Sequence, residues 1–293
     1  MKILLKILIF MSLLFLRCDY GCSYESGFII FTFLPKSLSW IKISSYGIMM
    51  AAGFLTANFL LQREFYRKNI DIKLADNIII LAVVFGIVGA KVFFLWETSN
   101  EWHTWDEFKH RAFSGGGLTW LGGFVGATTA NIIYAKRNRI FNLSFVDIFA
   151  PIIAMGYGFG RLGCLVSGDG CYGKICDLSL PSPLCMSFPN GALPTKEFVY
   201  NTPFYESTFS FLLFMFLWLF REKKWPDGSK FFLFLALHSI SRFVVEFIRL
   251  NPRDVMGMTQ AQFVSMVSLL VCMLFLFAKR QEFIKLLVKV KNE

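Results

Sequence analysis

The run IIILAVVFGIVGAKVFFLW, residues 78–96, holds a single charged side chain, Lys91. A helix of about 20 mostly apolar residues crosses the hydrocarbon core of a bilayer, and this run has that length and composition. Similar runs lie at 43–61, 118–134, 145–167, 231–249 and 259–278, with a shorter one at 208–220. The pattern predicts an all-α integral membrane protein with seven transmembrane helices. The whole chain agrees: 55% of its residues are hydrophobic, 17% are charged, 35 are Phe, and the mean hydropathy is +0.54. A soluble domain of this size is far more polar. The net charge of +10 does not point to nucleic acid, because the basic residues are scattered between apolar runs and form no basic face.

Residues 7–16, behind Lys2 and Lys6, have the length of a signal-peptide core, and no A-x-A site follows them. Residues 1–17 are therefore expected to act as a signal-like segment or anchor. The stretch Leu14-Phe15-Leu16-Arg17-Cys18 is lipobox-like, but Arg17 stands where a small residue belongs, which disfavours lipidation of Cys18. Alternate loops carry sixteen basic residues: Arg63, Arg67, Lys68 and Lys73; Lys136, Arg137 and Arg139; Arg221, Lys223, Lys224 and Lys230; Lys279, Arg280, Lys285, Lys289 and Lys291. The intervening segments carry seven: Lys36, Lys42, Lys109, Arg111, Lys174, Lys196 and Arg253. By the positive-inside rule, 18–42 is outside, 43–278 is the membrane domain, and 279–293 is a cytoplasmic basic tail. Two outer segments are long, 97–117 and the proline-rich region 168–207 between spans four and five, and long loops of this kind hold partner-facing surface. Trp40, Trp96, Trp102, Trp105 and Trp120 fall near the outer boundary, as an aromatic belt does.

Five of the seven cysteines, Cys18, Cys22, Cys171, Cys176 and Cys185, fall in outer segments, where an oxidising compartment permits a bridge such as Cys176 to Cys185. Neither cysteines nor His103, His110 and His238 show metal-ligand spacing, so no metal is expected.

Charge inside a bilayer is costly and marks function by default. Asp147 and Arg249 lie at span ends, where they can reach the interface, and Lys91 can snorkel toward Trp96; these are set aside. Arg161 and Arg242 are different, because each sits six or seven residues inside the outer end of its helix. At 1.5 Å per residue both lie roughly 10 Å below the outer surface. Glu246 is one turn from Arg242 on the same face, and His238 is one turn deeper. Two guanidiniums beside one carboxylate leave positive charge over, which an anionic lipid headgroup would satisfy. The bland alternative is an Arg242–Glu246 pair that fixes packing, with Arg161 on backbone carbonyls. Gly156, Gly158, Gly160 and Gly163 flank Arg161, and Gly122 and Gly126 stand at a small-xxx-small spacing that also suits plain helix packing.

Several ordered segments carry a family resemblance from about Ser44 to Ala278. They are Ser45-Tyr46-Gly47; Gly116-Gly117-Leu118-Thr119-Trp120-Leu121-Gly122-Gly123-Phe124-Val125-Gly126; Gly160-Arg161-Leu162-Gly163; Thr202-Pro203-Phe204-Tyr205-Glu206; and Ser241-Arg242-Phe243-Val244-Val245-Glu246-Phe247-Ile248-Arg249. In this set and order the chain resembles the prolipoprotein diacylglyceryl transferases. The resemblance implies transfer of a diacylglyceryl group from phosphatidylglycerol to the lipobox cysteine thiol of a prolipoprotein, at the outer side of a bacterial inner membrane, without metal or cofactor. It implies that Arg161 and Arg242 hold the lipid phosphate, that Glu246 orients Arg242, and that Tyr46, Gly122, Gly123, Gly173 and Glu206 line the substrate cleft.

The chain departs from the family at the proton-handling positions. Leu121 stands for the family's histidine, Cys164, Ser167 and Asp169 replace asparagines and a glutamate, and His238 replaces a tyrosine. The thiol must lose its proton to attack, so His238, Asp169 and Glu246 are the candidate catalytic groups. The runner-up reading is a relative that binds an anionic lipid or lipoprotein precursor without turnover. A solute transporter is disfavoured, because the polar residues sit near one face and not at the midplane.

Overall fold

A computed structural model describes residues 22–25, 28–31, 42–113, 117, 119–176 and 183–291. The signal-like segment 1–17 and the lipobox-like stretch ending at Cys18 lie outside the described residues. Three short strands, β1 (Cys22–Glu25), β2 (Phe28–Phe31) and β3 (Lys42–Ser44), form an antiparallel sheet in that order. The helices are α1 (Ser45–Arg67), α2 (Lys73–Glu97), α3 (Trp105–Phe113), α4 (Trp120–Arg137), α5 (Leu143–Ser167), α6 (Thr202–Leu219), α7 (Ser229–Val245) and α8 (Gln260–Lys291). A second antiparallel pair, β4 (Cys185–Phe188) and β5 (Thr195–Tyr200), lies between α5 and α6. The fold is mostly helical, and the two small sheets correct the all-α expectation. Strands of three to six residues are too short to carry a lasting alternation in the sequence.

By length and composition three described helices can cross a membrane: Lys73–Glu97, Leu143–Ser167 and Gln260–Phe283. The first shows why lipid is its solvent, since Ile80, Val84, Phe85, Ile87, Val88 and Val92 all face outward. A continuous apolar face of this kind is not sustained in water. The last helix does not stop at Ala278 but continues through the basic tail to Lys291.

The chain divides into two compact units, Met1–Gly53 with Ile153–Glu293, and Phe54–Ile152. In the second unit α2 and α4 pack at glycines. A Cβ on Gly89 would strike the Gly122 carbonyl oxygen and come within 3.1 Å of Gly126 Cα, and one on Gly126 would strike the Phe85 carbonyl. Small residues let backbones approach this closely. Thr119 reinforces the contact by donating its hydroxyl to the Ala90 carbonyl at 3.1 Å. Lys91 donates to the Arg111 carbonyl at 3.1 Å near the end of α3. Its ammonium therefore lies on a helix terminus, which differs from a chain snorkelling toward Trp96.

The turns after α1 and α4 share one geometry. Ile70 N–H bonds to Phe65 O and Asn69 N–H to Tyr66 O, while Ile140 N–H bonds to Ala135 O and Arg139 N–H to Lys136 O. This is the paired bonding of a Schellman cap, and Asn69 (φ 55°) and Arg139 (φ 58°) take its left-handed position.

In the first unit the core gathers Phe159, Met155, Leu213, Phe214, Leu217 and Phe234. Asn201 caps α6 by accepting from Phe204 N–H, and its side-chain amide donates to the Pro183 carbonyl at 3.1 Å. Cys176 and Cys185 form a disulfide, a bridge that an oxidising compartment permits. The loop before α6 is thus held at both ends.

Candidate functional site

Glu206 lies one turn into α6 and is 1% exposed. An unpaired carboxylate cannot be buried so deeply, and here three guanidiniums answer it. Arg161 Nε lies 3.2 Å from Glu206 Oε2, Arg249 Nη1 lies 3.5 Å from the same oxygen, and Arg242 Nη1 bonds to Oε1. The Tyr157 hydroxyl donates to Glu206 Oε1 at 2.7 Å and accepts from Arg161 Nε at 2.9 Å. Tyr157 and Arg161 are four residues apart on α5, which places them on one face.

Glu246 is the second carboxylate, also 1% exposed. Its Oε2 lies 3.0 Å from Arg242 Nη2 and 3.8 Å from Arg249 Nε, and its Oε1 accepts from Asn251 Nδ2. Arg242 therefore bridges the two carboxylates. Three guanidiniums carry fifteen N–H donors, about twice what two carboxylates accept. Among the described residues, the cluster carries one positive charge more than its carboxylates offset.

This differs from the sequence reading in two respects. Arg249 is not an interface residue reaching for water: its side chain is 10% exposed and contacts both carboxylates. Glu206 brings a second carboxylate that the local spacing around Arg242 did not show. The excess of one positive charge survives, with three arginines against two carboxylates. Tyr157 and Asn251 were missed altogether, although Tyr157 sits at i−4 from Arg161, the one signal that marked it.

The other expected residues take definite places. His238 on α7 packs edge-to-face on Tyr157, ring centroids 4.5 Å apart, and stacks on Phe234. Tyr46 covers Gly163, whose absent Cβ would lie 2.8 Å from the tyrosine ring. Gly173 pairs with Arg249 as an isolated bridge, and a Cβ there would come 2.6 Å from the Ile248 carbonyl. That glycine lets the loop lie against the backbone that presents Arg249. Asp169 Oδ1 accepts from Cys171 N–H at 3.1 Å, and Asp169, Cys171 and Cys164 form a compact group with their ligand-type atoms within 4.8 Å of one another. The sequence spacing gave no such grouping. Gly122 and Gly123 belong to the second unit, where Gly122 is buried against Gly89 and Phe93. Leu121, in place of the family's histidine, is exposed on α4.

Membrane-crossing helices with a buried cluster of arginines and carboxylates define an integral membrane protein with a polar site inside an apolar body. The profile of the family described as prolipoprotein diacylglyceryl transferase matches residues 35–278. The chain belongs to that family. Relatives named phosphatidylglycerol–prolipoprotein diacylglyceryl transferase include one from Leptospira interrogans, 34% identical over 241 residues covering 72% of this chain and 73% of the relative. Others come from Clostridium tetani, 30% identical over 79% of this chain and 91% of the relative, and Dehalococcoides mccartyi, 31% identical over 84% and 93%.

Proposed function

We propose that this chain transfers a diacylglyceryl group from phosphatidylglycerol to the lipobox cysteine of a prolipoprotein, and that it does so at the outer side of a bacterial inner membrane. The observation that carries this reading is the surplus guanidinium charge around Glu206. An anionic phosphate entering the cluster meets donors that the two carboxylates leave unsatisfied. Arg161 and Arg242 hold the phosphate, with Glu206 and Glu246 orienting them; planar guanidiniums match phosphate better than a point charge does.

In the reaction the lipobox thiolate attacks the glyceryl carbon bonded to the phosphate oxygen. A carbon–sulfur bond forms, the carbon–oxygen bond breaks, and glycerol phosphate leaves with the electron pair. Negative charge grows on the departing phosphate, where fixed cations lower the barrier. Glu246 is committed to Arg242, Arg249 and Asn251. Asp169 is engaged with Cys171 N–H. His238, beside Tyr157, is the group we assign to the thiol proton. Tyr46 and Gly173 are assigned to the walls of the lipid cleft, whereas Gly122 and Gly123, which the family resemblance also puts there, pack against α2.

The same reading places seven crossings at helices α1, α2, α4, α5, α6, α7 and α8, with 1–17 as a signal-like segment, 18–42 and 168–207 outside, 43–278 as the membrane domain, and 279–293 in the cytoplasm. Loop charge supports it. Side-specific reporters fused after Gly191 and after Glu293 should report opposite sides, and agreement between them removes the seven-span arrangement.

Leu121, exposed where the family has histidine, favours a second reading in which the chain binds lipid without turnover. Purified protein incubated with phosphatidylglycerol and a lipobox peptide separates the two: a thioether-linked product supports transfer, and lipid binding without product supports the second.

A further inference from the structure

The group at the end of α5 is not used by the reaction as described above. Cys164 is buried one turn beyond Arg161, and Cys171 is half-buried in the loop that follows. Gly168 (φ 59°) and Gly170 (φ 87°) turn the chain back, so the two sulfurs, seven residues apart in sequence, come within 4.8 Å. The Cys171 carbonyl accepts from the Thr202 hydroxyl at 2.5 Å, and Thr202 stands one turn before Glu206. The pair is therefore tied on one side to the turn that bears Arg161 and on the other to the helix that bears Glu206. The neighbouring Cys176–Cys185 bridge marks the segment as one that meets oxidising conditions.

We propose that Cys164 and Cys171 are a reversible dithiol–disulfide pair that gates the arginine cluster, active as two thiols and slowed when bridged. The oxidant is a disulfide-bearing thiol oxidoreductase. Cys171 thiolate attacks one sulfur of that disulfide and expels the other as thiolate; Cys164 then attacks Cys171 Sγ and releases the second. Two thiols lose two electrons and two protons, and the oxidant gains both. The Cys164 thiol hydrogen-bonded to Cys171 holds the Cys171 thiol below the ordinary thiol range, which suits it to the first attack.

Forming a disulfide brings the sulfurs to about 2.05 Å, so closure draws the end of α5 and the following loop together and fixes both side chains in one geometry. Arg161, one turn before Cys164, holds Tyr157 at 2.9 Å and Glu206 at 3.2 Å, so strain that the bridge places on this turn acts on both contacts. The effect on rate rests on the transfer reading; the existence of the pair does not.

The test equilibrates the full-length protein in detergent against glutathione buffers of graded redox ratio, then alkylates it, maps its peptides by mass spectrometry and assays transfer. The expected result is a Cys164–Cys171 cross-link that appears and disappears with the buffer while Cys176–Cys185 persists. Transfer should be slower in the bridged form by a factor of about 5 or more, the low end of coupling between sites. Cys171→Ser should turn over at one rate in every buffer. Two thiols that stay alkylatable in every buffer overturn the proposal, as does a zinc equivalent bound by both thiols that protects them from oxidation. A bridge that forms without change in rate overturns the gating. Absence of transfer in both forms counts against the transfer reading alone, because the mapping still decides the pair.

Discussion

The crossing of α2 and α4 and the cluster joining α5, α6 and α7 were both marked by glycines and single charges in an apolar background, yet they are held by opposite physics. In the first, backbone meets backbone: Gly89, Gly122 and Gly126 leave no room for a methyl group. In the second, Glu206 and Glu246 are buried only because Arg161, Arg242 and Arg249 surround them. Packing of the first kind depends on shape and is indifferent to charge. The second depends on charge, and each member is costly without the others. A glycine run in a membrane helix therefore does not by itself locate a site, whereas charge buried on three helices does.

Substitutions that separate these two kinds of cohesion rank as follows. Glu206→Ala leaves three guanidiniums facing one carboxylate, and breaking a buried ion-pair network costs about 3–5 kcal/mol. Thermal unfolding in lipid nanodiscs should show that loss, and transfer should vanish with it; wild-type stability would mean that water or lipid already compensates these arginines. His238→Phe keeps the aromatic contact with Tyr157 but removes the imidazole that we propose takes the thiol proton, so the transfer rate should fall by about 10² while lipid binding is retained. An unchanged rate and pH profile would make His238 a packing residue. Gly122→Val forces the α2–α4 crossing apart and should cost about 1–3 kcal/mol in the same unfolding assay. That loss should not respond to salt or to added phosphatidylglycerol, in contrast to Glu206→Ala. Tyr157→Phe removes one hydroxyl that links Arg161 to Glu206, a change worth about 0.5–1.5 kcal/mol, and should lower the rate about tenfold at most.

The helices were legible because lipid solvation selects long apolar runs: 78–96 lies within Lys73–Glu97 and 145–167 within Leu143–Ser167. The apolar run 208–220 starts inside α6, because Thr202, Pro203, Glu206 and Ser207 look like loop in the sequence, yet they are buried in its first turns. The β4–β5 pair was missed because strands of four and six residues in a proline-rich segment carry no lasting period. In the site, Arg161 and Arg242 stood out because charge inside an apolar run is costly, and the structure brings both to Glu206. Arg249 was not, because its position at a span end has a cheaper explanation, and only the fold shows it turned onto Glu206 and Glu246. The Cys164–Cys171 approach depends on two left-handed glycines, and spacing alone does not fix those angles.

The measurement that bears most directly on the central claim is transfer by Arg161→Ala, Arg161→Lys, Arg242→Ala and Arg242→Lys, each checked for folding, with phosphatidylglycerol and a lipobox peptide and with the thioether product quantified. The alanine variants should yield no product, and the lysine variants should fall by about 10² or more, because an ammonium cannot reproduce the guanidinium fork on phosphate. Folded alanine variants that turn over at the wild-type rate would contradict the phosphate-holding role of the cluster.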